Sequence, residues 1–142
     1  MSDLHGYYLE DLEVGMSASI AKTVSEADVY GFAGITGDNN PVHVNAEYAA
    51  TTMFKERIAH GMLSAGFISA VLGTRLPGPG AIYVDQQIKF KAPVKIGDTL
   101  TATATIDSID ERRRRVVLNT VCTVADKVVA DGQATLMVDS RN

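Results

Sequence analysis

Gly61-Met62-Leu63-Ser64-Ala65-Gly66-Phe67-Ile68-Ser69-Ala70-Val71-Leu72-Gly73-Thr74-Arg75-Leu76 is the run on which the architecture turns. It holds no acidic residue, is apolar nearly all round and is rich in Ala, Gly and Ser, so it reads as one helix enclosed by protein. It is too short for a membrane span, and Ser64, Gly66 and Ser69 interrupt it. Pro77-Gly78-Pro79-Gly80 ends it, because proline cannot continue the hydrogen-bond ladder and glycine favours a turn.

An enclosed helix needs a layer to bury against, and the chain beyond Gly80 supplies one. Ile82, Val84, Ile88 and Phe90 alternate with Tyr83, Asp85, Gln87 and Lys89, the period of a strand. After Pro93 and Gly97-Asp98, Thr99, Thr101, Thr103 and Thr105 alternate with Leu100, Ala102, Ala104 and Ile106: a half-buried antiparallel strand with its hydroxyls on one face. Asp110-Glu111-Arg112 marks a turn, residues 116–124 a strand, Asp126-Lys127 a turn and residues 128–138 the last strand. Upstream, residues 1–16 read as an irregular lead-in and 17–23 as a first strand. Ser25 and Asp28 have the spacing of a capping box before a helix whose apolar face is Val29, Phe32, Ala33 and Thr36, with Gly37 as its stop. Asn45 caps a short helix from Ala46 to about Phe54. One strand, helices, then about four strands on short loops predict an α+β fold of the hotdog type: an antiparallel sheet wrapped around one long buried helix. No repeat or linker divides residues 1–142, which read as one domain, and the exposed edges of such a sheet favour a homodimer.

Bulk properties agree. The 142 residues are 46% hydrophobic and 21% charged, ordinary values for a packed domain. With aromatics at 6% and no tryptophan, small and aliphatic side chains fill the core. A net charge of −4 argues against a nucleic-acid partner. The single cysteine, Cys122, excludes an internal disulfide and, in an apolar alternating run, reads as a packed thiol. No apolar run follows a basic start, so neither a signal peptide nor a membrane anchor is expected, and cytoplasmic location is the default.

The chemistry lies elsewhere, in Thr36-Gly37-Asp38-Asn39-Asn40-Pro41-Val42-His43. Pro41 lacks an amide hydrogen and pushes Asn40 out of the helical region, so an irregular segment is expected to hold Asp38 and His43. A carboxylate and an imidazole on such a segment suggest acid–base work. Taken alone, Asp38 as a turn cap and His43 as a core histidine would be the commoner reading.

Together with Ile58-Ala59-His60-Gly61-Met62, this motif resembles the MaoC-like hydratases and dehydratases, and most of all the short bacterial (R)-specific enoyl-CoA hydratases, which are single-hotdog enzymes. The likeness runs through Gly80-Ala81-Ile82-Tyr83 and Phe90-Lys91-Ala92-Pro93-Val94, and so spans roughly the whole chain. One departure is Asn45, where the family commonly has Asp; asparagine caps a helix equally well. The resemblance implies reversible syn addition of water to a trans-2-enoyl-CoA, giving an (R)-3-hydroxyacyl-CoA. It implies no metal and no cofactor beyond the CoA of the substrate, and a homodimer with the CoA channel near the subunit interface. Asp38 and His43 would act on one water, either being the base. Gly61, opening the buried helix, would offer its amide to the thioester oxygen, and would also permit a tight entry into the helix. On the substrate side, Asn40 holds the loop, while Ser69 and Leu72 lie toward the acyl end or simply pack in the core. His60 reads as structural or as a support behind the catalytic pair, and His5 as solvated. Lys55, Arg57, Arg75, Lys89 and Lys91 are candidates for the CoA phosphates, and the Arg112–Arg115 run reads as a solvated turn. Polyester storage and fatty-acid recycling both suit such an enzyme.

Three other readings remain. A carrier-protein dehydratase would differ only in the thioester handle. A hotdog thioesterase would place an acid on the central helix, where this chain has none. A non-catalytic acyl-binding subunit would lack the Asp38–His43 pair.

Overall fold

A computed structural model describes residues 2–142. Five strands, β1 (Ser17–Thr23), β2 (Ile82–Phe90), β3 (Thr99–Asp110), β4 (Arg115–Val124) and β5 (Lys127–Met137), form one antiparallel sheet in the order β1-β3-β4-β5-β2. Four helices precede β2: α1 (Glu26–Thr36), α2 (Pro41–Val44), α3 (Ala46–Ala50) and α4 (Gly61–Thr74). This is the hotdog arrangement expected from the strand and helix periodicities.

The alternation in β3 sets the sheet's two faces. Leu100, Ala102, Ala104 and Ile106 are buried beneath α4. On the other face Thr99, Thr103 and Thr105 pair their hydroxyls with Thr23, Ser19 and Ser17 of β1 at 2.8, 2.7 and 3.0 Å. These cross-strand pairs pin the β1–β3 register. Ile68, Val71 and Leu72 of α4 complete the core with Leu118, Ala130, Ala134 and Leu136 of β4 and β5. Cys122 is packed there too, its thiol pushed up to about 11 by burial. The four arginines sit at the exposed β3–β4 hairpin, as expected of a solvated turn.

Several local expectations need correction. The lead-in is partly ordered: 3-10 turns at Ser2–Leu4 and Leu9–Asp11 bring Leu9 and Leu12 into the core. His5 is not solvated; it stacks on Tyr8 at 4.1 Å and bonds to Asp139 at 3.0 Å. The helix after Asn45 ends at Ala50 rather than near Phe54, because the Thr51 and Thr52 hydroxyls donate back to Tyr48 and Ala49 carbonyls. Strand β3 runs past Ile106 to Asp110 through an irregularity between Ile106 and Ser108 that breaks the alternation. The last correction concerns α4. Within one chain it is covered on one side only; Met62, Gly66, Ser69 and Gly73 form an exposed stripe on the other, with Met62 57% exposed.

Candidate active site

Helix α1 starts as its sequence dictates. Ser25 Oγ accepts from the Asp28 amide and Asp28 accepts from the Ser25 amide. Its end is equally local: Gly37 turns left-handed at φ 81°. Thr36 Oγ1 donates to Phe32 O and accepts from the Asp38 amide at 3.1 Å. Asp38 Oδ1 accepts from the Asn40 amide at 3.3 Å, and Asn40 Oδ1 from the Val42 amide at 3.1 Å. This relay of side-chain bonds fixes a loop with no regular ladder of its own. Asn40 thus holds the loop, as expected, and does not line the cavity. The segment is more regular than anticipated at its far end. Pro41 opens the one-turn helix α2, where a missing amide hydrogen is no loss, and His43 sits on that turn.

Asp38, His43 and His60 converge: one donor atom from each lies within 4.8 Å of the others. His43 is 8% exposed, and its Nδ1 donates to Ile58 O at 2.7 Å. A carbonyl only accepts, so the neutral ring keeps its lone pair on Nε2. Burial, first of all, holds the His43 pKa below the ordinary imidazole value, and His60 adds to this; the Ile58 bond and the Asp38 charge pull the other way. His43 is therefore a neutral base at pH 7. The His43 and His60 rings stack at 3.9 Å with 27° between planes.

A cavity of about 550 Å³ opens over this group. Asp38, His43 and Gly61 line it, and Met53, Phe54, Met62, Phe90 and Val94 make much of the rest apolar. The Gly61 and Met62 amides, at the start of α4, have no acceptor among the described residues. They form the positive end of the helix dipole, a place suited to a developing negative charge. A Cβ on Gly61 would come within 3.0 Å of the Phe90 ring.

The remaining candidates are dispersed. Ser69 lies in a second groove of about 490 Å³, between the bare side of α4 and β2, with Tyr83, Val84 and Gln86. Leu72 is 0% exposed in the single chain, packs in its core and lines neither space. Lys91 borders the first cavity and pairs with Asp131 at 2.9 Å. Arg57 is held by Glu26 and by the hydroxyl and ring of Tyr30. Lys55, Lys89 and Arg75 form no ion pair among the described residues, and Arg75 lies at the far end of α4 from the cavity. Sequence reasoning missed Ser64, Met53, Phe54 and Phe90 as lining residues. Only Ser64 carried a signal: it lies one turn along α4 from Gly61.

A MaoC-like domain matches residues 11–128. The chain belongs to the MaoC-like family. This MaoC-like chain is 64% identical over 139 residues to a protein of Rhodospirillum rubrum named (R)-specific enoyl-CoA hydratase, covering 98% of this chain and 96% of that one. It is 49% identical to the 3-hydroxybutyryl-CoA dehydratase of Methylorubrum extorquens, over 99% of this chain and 90% of the other. Among solved structures, the unliganded R-hydratase PhaJ1 of Pseudomonas aeruginosa superposes with a TM-score of 0.89 at 45% identity, covering 94% of this chain and 86% of that one.

Proposed function

We propose that this MaoC-like protein is an (R)-specific enoyl-CoA hydratase, adding water reversibly and syn across the trans-2 double bond of an enoyl-CoA. The observation that carries the reading is the neutral, buried His43, its Nε2 lone pair free beside the Asp38 carboxylate at the wall of an apolar cavity. Water between the two groups loses a proton to His43 Nε2 as its oxygen bonds to C3. The π electrons move toward C2 and the thioester oxygen, whose charge falls to the Gly61 amide. The imidazolium is steadied by Asp38, and the pair returns a proton to C2 from the same side, which makes the addition syn. Every proton is accounted for by the two side chains, so no cofactor enters the reaction. Ser69 lies on the acyl side, in the groove that a second copy of the chain would close. The reading carries with it a homodimer and a cytoplasmic location.

Purified protein is expected to consume crotonyl-CoA, followed as loss of enoyl absorbance, with the product oxidised by an (R)-specific dehydrogenase. Release of free CoA instead would make it a thioesterase. Turnover of carrier-protein thioesters in preference to CoA thioesters would make it a synthesis-pathway dehydratase.

A further inference from the structure

His60 touches both halves of the proposed catalytic pair, and the proposed reaction gives it no part. It is the N-cap of α4, yet its side chain caps nothing there. The ring is turned instead toward the Asp38 loop. Its Nε2 donates to the Asp38 backbone carbonyl at 3.0 Å, while its face lies on the His43 ring at 3.9 Å and its other neighbour is the Phe32 ring at 4.6 Å. It is 2% exposed, and its Nδ1 is buried with no hydrogen-bond partner among the described residues. An unpaired buried acceptor is a standing destabilisation, which a residue chosen for stability alone would avoid. Val42 and His43 are tied to Ile58, but Asp38 itself and its neighbours to Asn40 are otherwise held by bonds between residues close in sequence. His60, twenty-two positions away, is the long-range tie at Asp38.

We infer that His60 is a positioning residue for the hydration reaction: its Nε2–H fixes the Asp38 loop, so that the carboxylate meets the same water as the His43 imidazole. The inference rests on the proposed catalytic pair. Two substitutions separate its two contacts. His60→Gln keeps an N–H donor for the Asp38 carbonyl and loses the ring stack. His60→Phe keeps a ring against His43 and loses the donor. Misplacing a reacting group by an ångström costs on the order of a hundredfold in rate. His60→Phe is therefore expected to lower kcat by about tenfold to a hundredfold with KM within about threefold of native, and His60→Gln is expected to recover most of that loss. Hydrogen–deuterium exchange gives a readout independent of activity. Amides of residues 38–43 should exchange faster than native in His60→Phe and near native in His60→Gln, with the strands unchanged in both. Native kcat together with native exchange in His60→Phe would overturn the inference, as would an equal fall in both variants. If the native chain fails to hydrate any enoyl-CoA while the exchange pattern appears as stated, the tie stands and the proposed reaction falls.

Discussion

Asp38 and His43 differ in what each substitution removes. Asp38→Asn keeps the Oδ1 acceptor for the Asn40 amide and so keeps the turn, while deleting the charge. Turnover on crotonyl-CoA should drop by about 10²–10⁴-fold with the thermal midpoint nearly unchanged; unchanged turnover would discard the pair. His43→Ala should lower turnover comparably. The acid limb of kcat/KM follows from the direction of the His43 shift. Burial keeps the ring neutral below its ordinary value of 6.5, so activity should persist under pH 6.5 and fall only at lower pH. Because the Asp38 charge raises the His43 pKa, residual activity of Asp38→Asn should show its acid limb lower still. A limb lying above 6.5 in the native enzyme contradicts the neutral-base assignment. Gly61→Ala brings a methyl within 3.0 Å of Phe90 at the mouth of the unpaired amides, and should cost about tenfold or more in kcat. At this scale the sequence was legible where residue type limits chemistry: the acid, the imidazole and the glycine. His60 was legible only as structural or supporting and Ser64 was passed over, since their parts come from α4 pointing its first turn at a loop far upstream in sequence.

The elements were legible where periodicity was clean. Strand β2 and strand β1 begin and end where alternation does, and Gly37 stops α1 because only a left-handed residue closes that helix. Boundaries failed where side chains compete with the backbone, at Thr51 and Thr52 after α3, and where a bulge shifts phase in β3. Leu72 illustrates a different gap. Helical spacing puts it on α4, but only packing separates a core position from a substrate wall. Leu72→Ala should therefore destabilise by about 2–5 kcal/mol in denaturant titration. Gly132 on β5 is a second such position, invisible to alternation. A Cβ there would lie 1.8 Å from the Gln87 carbonyl oxygen of β2, so Gly132→Ala should lose at least the ~1–3 kcal/mol of an overpacked core, read by the same titration.

The two sheet edges of the whole molecule are unlike. Strand β1 is short and its exposed side chains include Ser17, Lys22 and Thr23, a set that discourages pairing. Strand β2 is longer and leaves Ile82, Val84 and Phe90 about half exposed, beside the bare stripe of α4. The helix that the sequence required to be enclosed is therefore half enclosed by its own sheet, and the missing cover lies on the β2 side. A second copy, brought up along β2, would bury both the edge and the stripe and would close the groove that holds Ser69. Met62 borders the groove and the catalytic cavity alike, so the acyl side is open to water until that cover is present. The native protein should accordingly sediment at twice the chain mass. Val84→Lys, with a charge set on the β2 edge, should sediment as a monomer, keep its far-ultraviolet dichroism, and show a KM for crotonyl-CoA raised by at least about tenfold. A native chain that sediments as a monomer with full activity would refute the pairing, and a Val84→Lys dimer would move the interface away from β2.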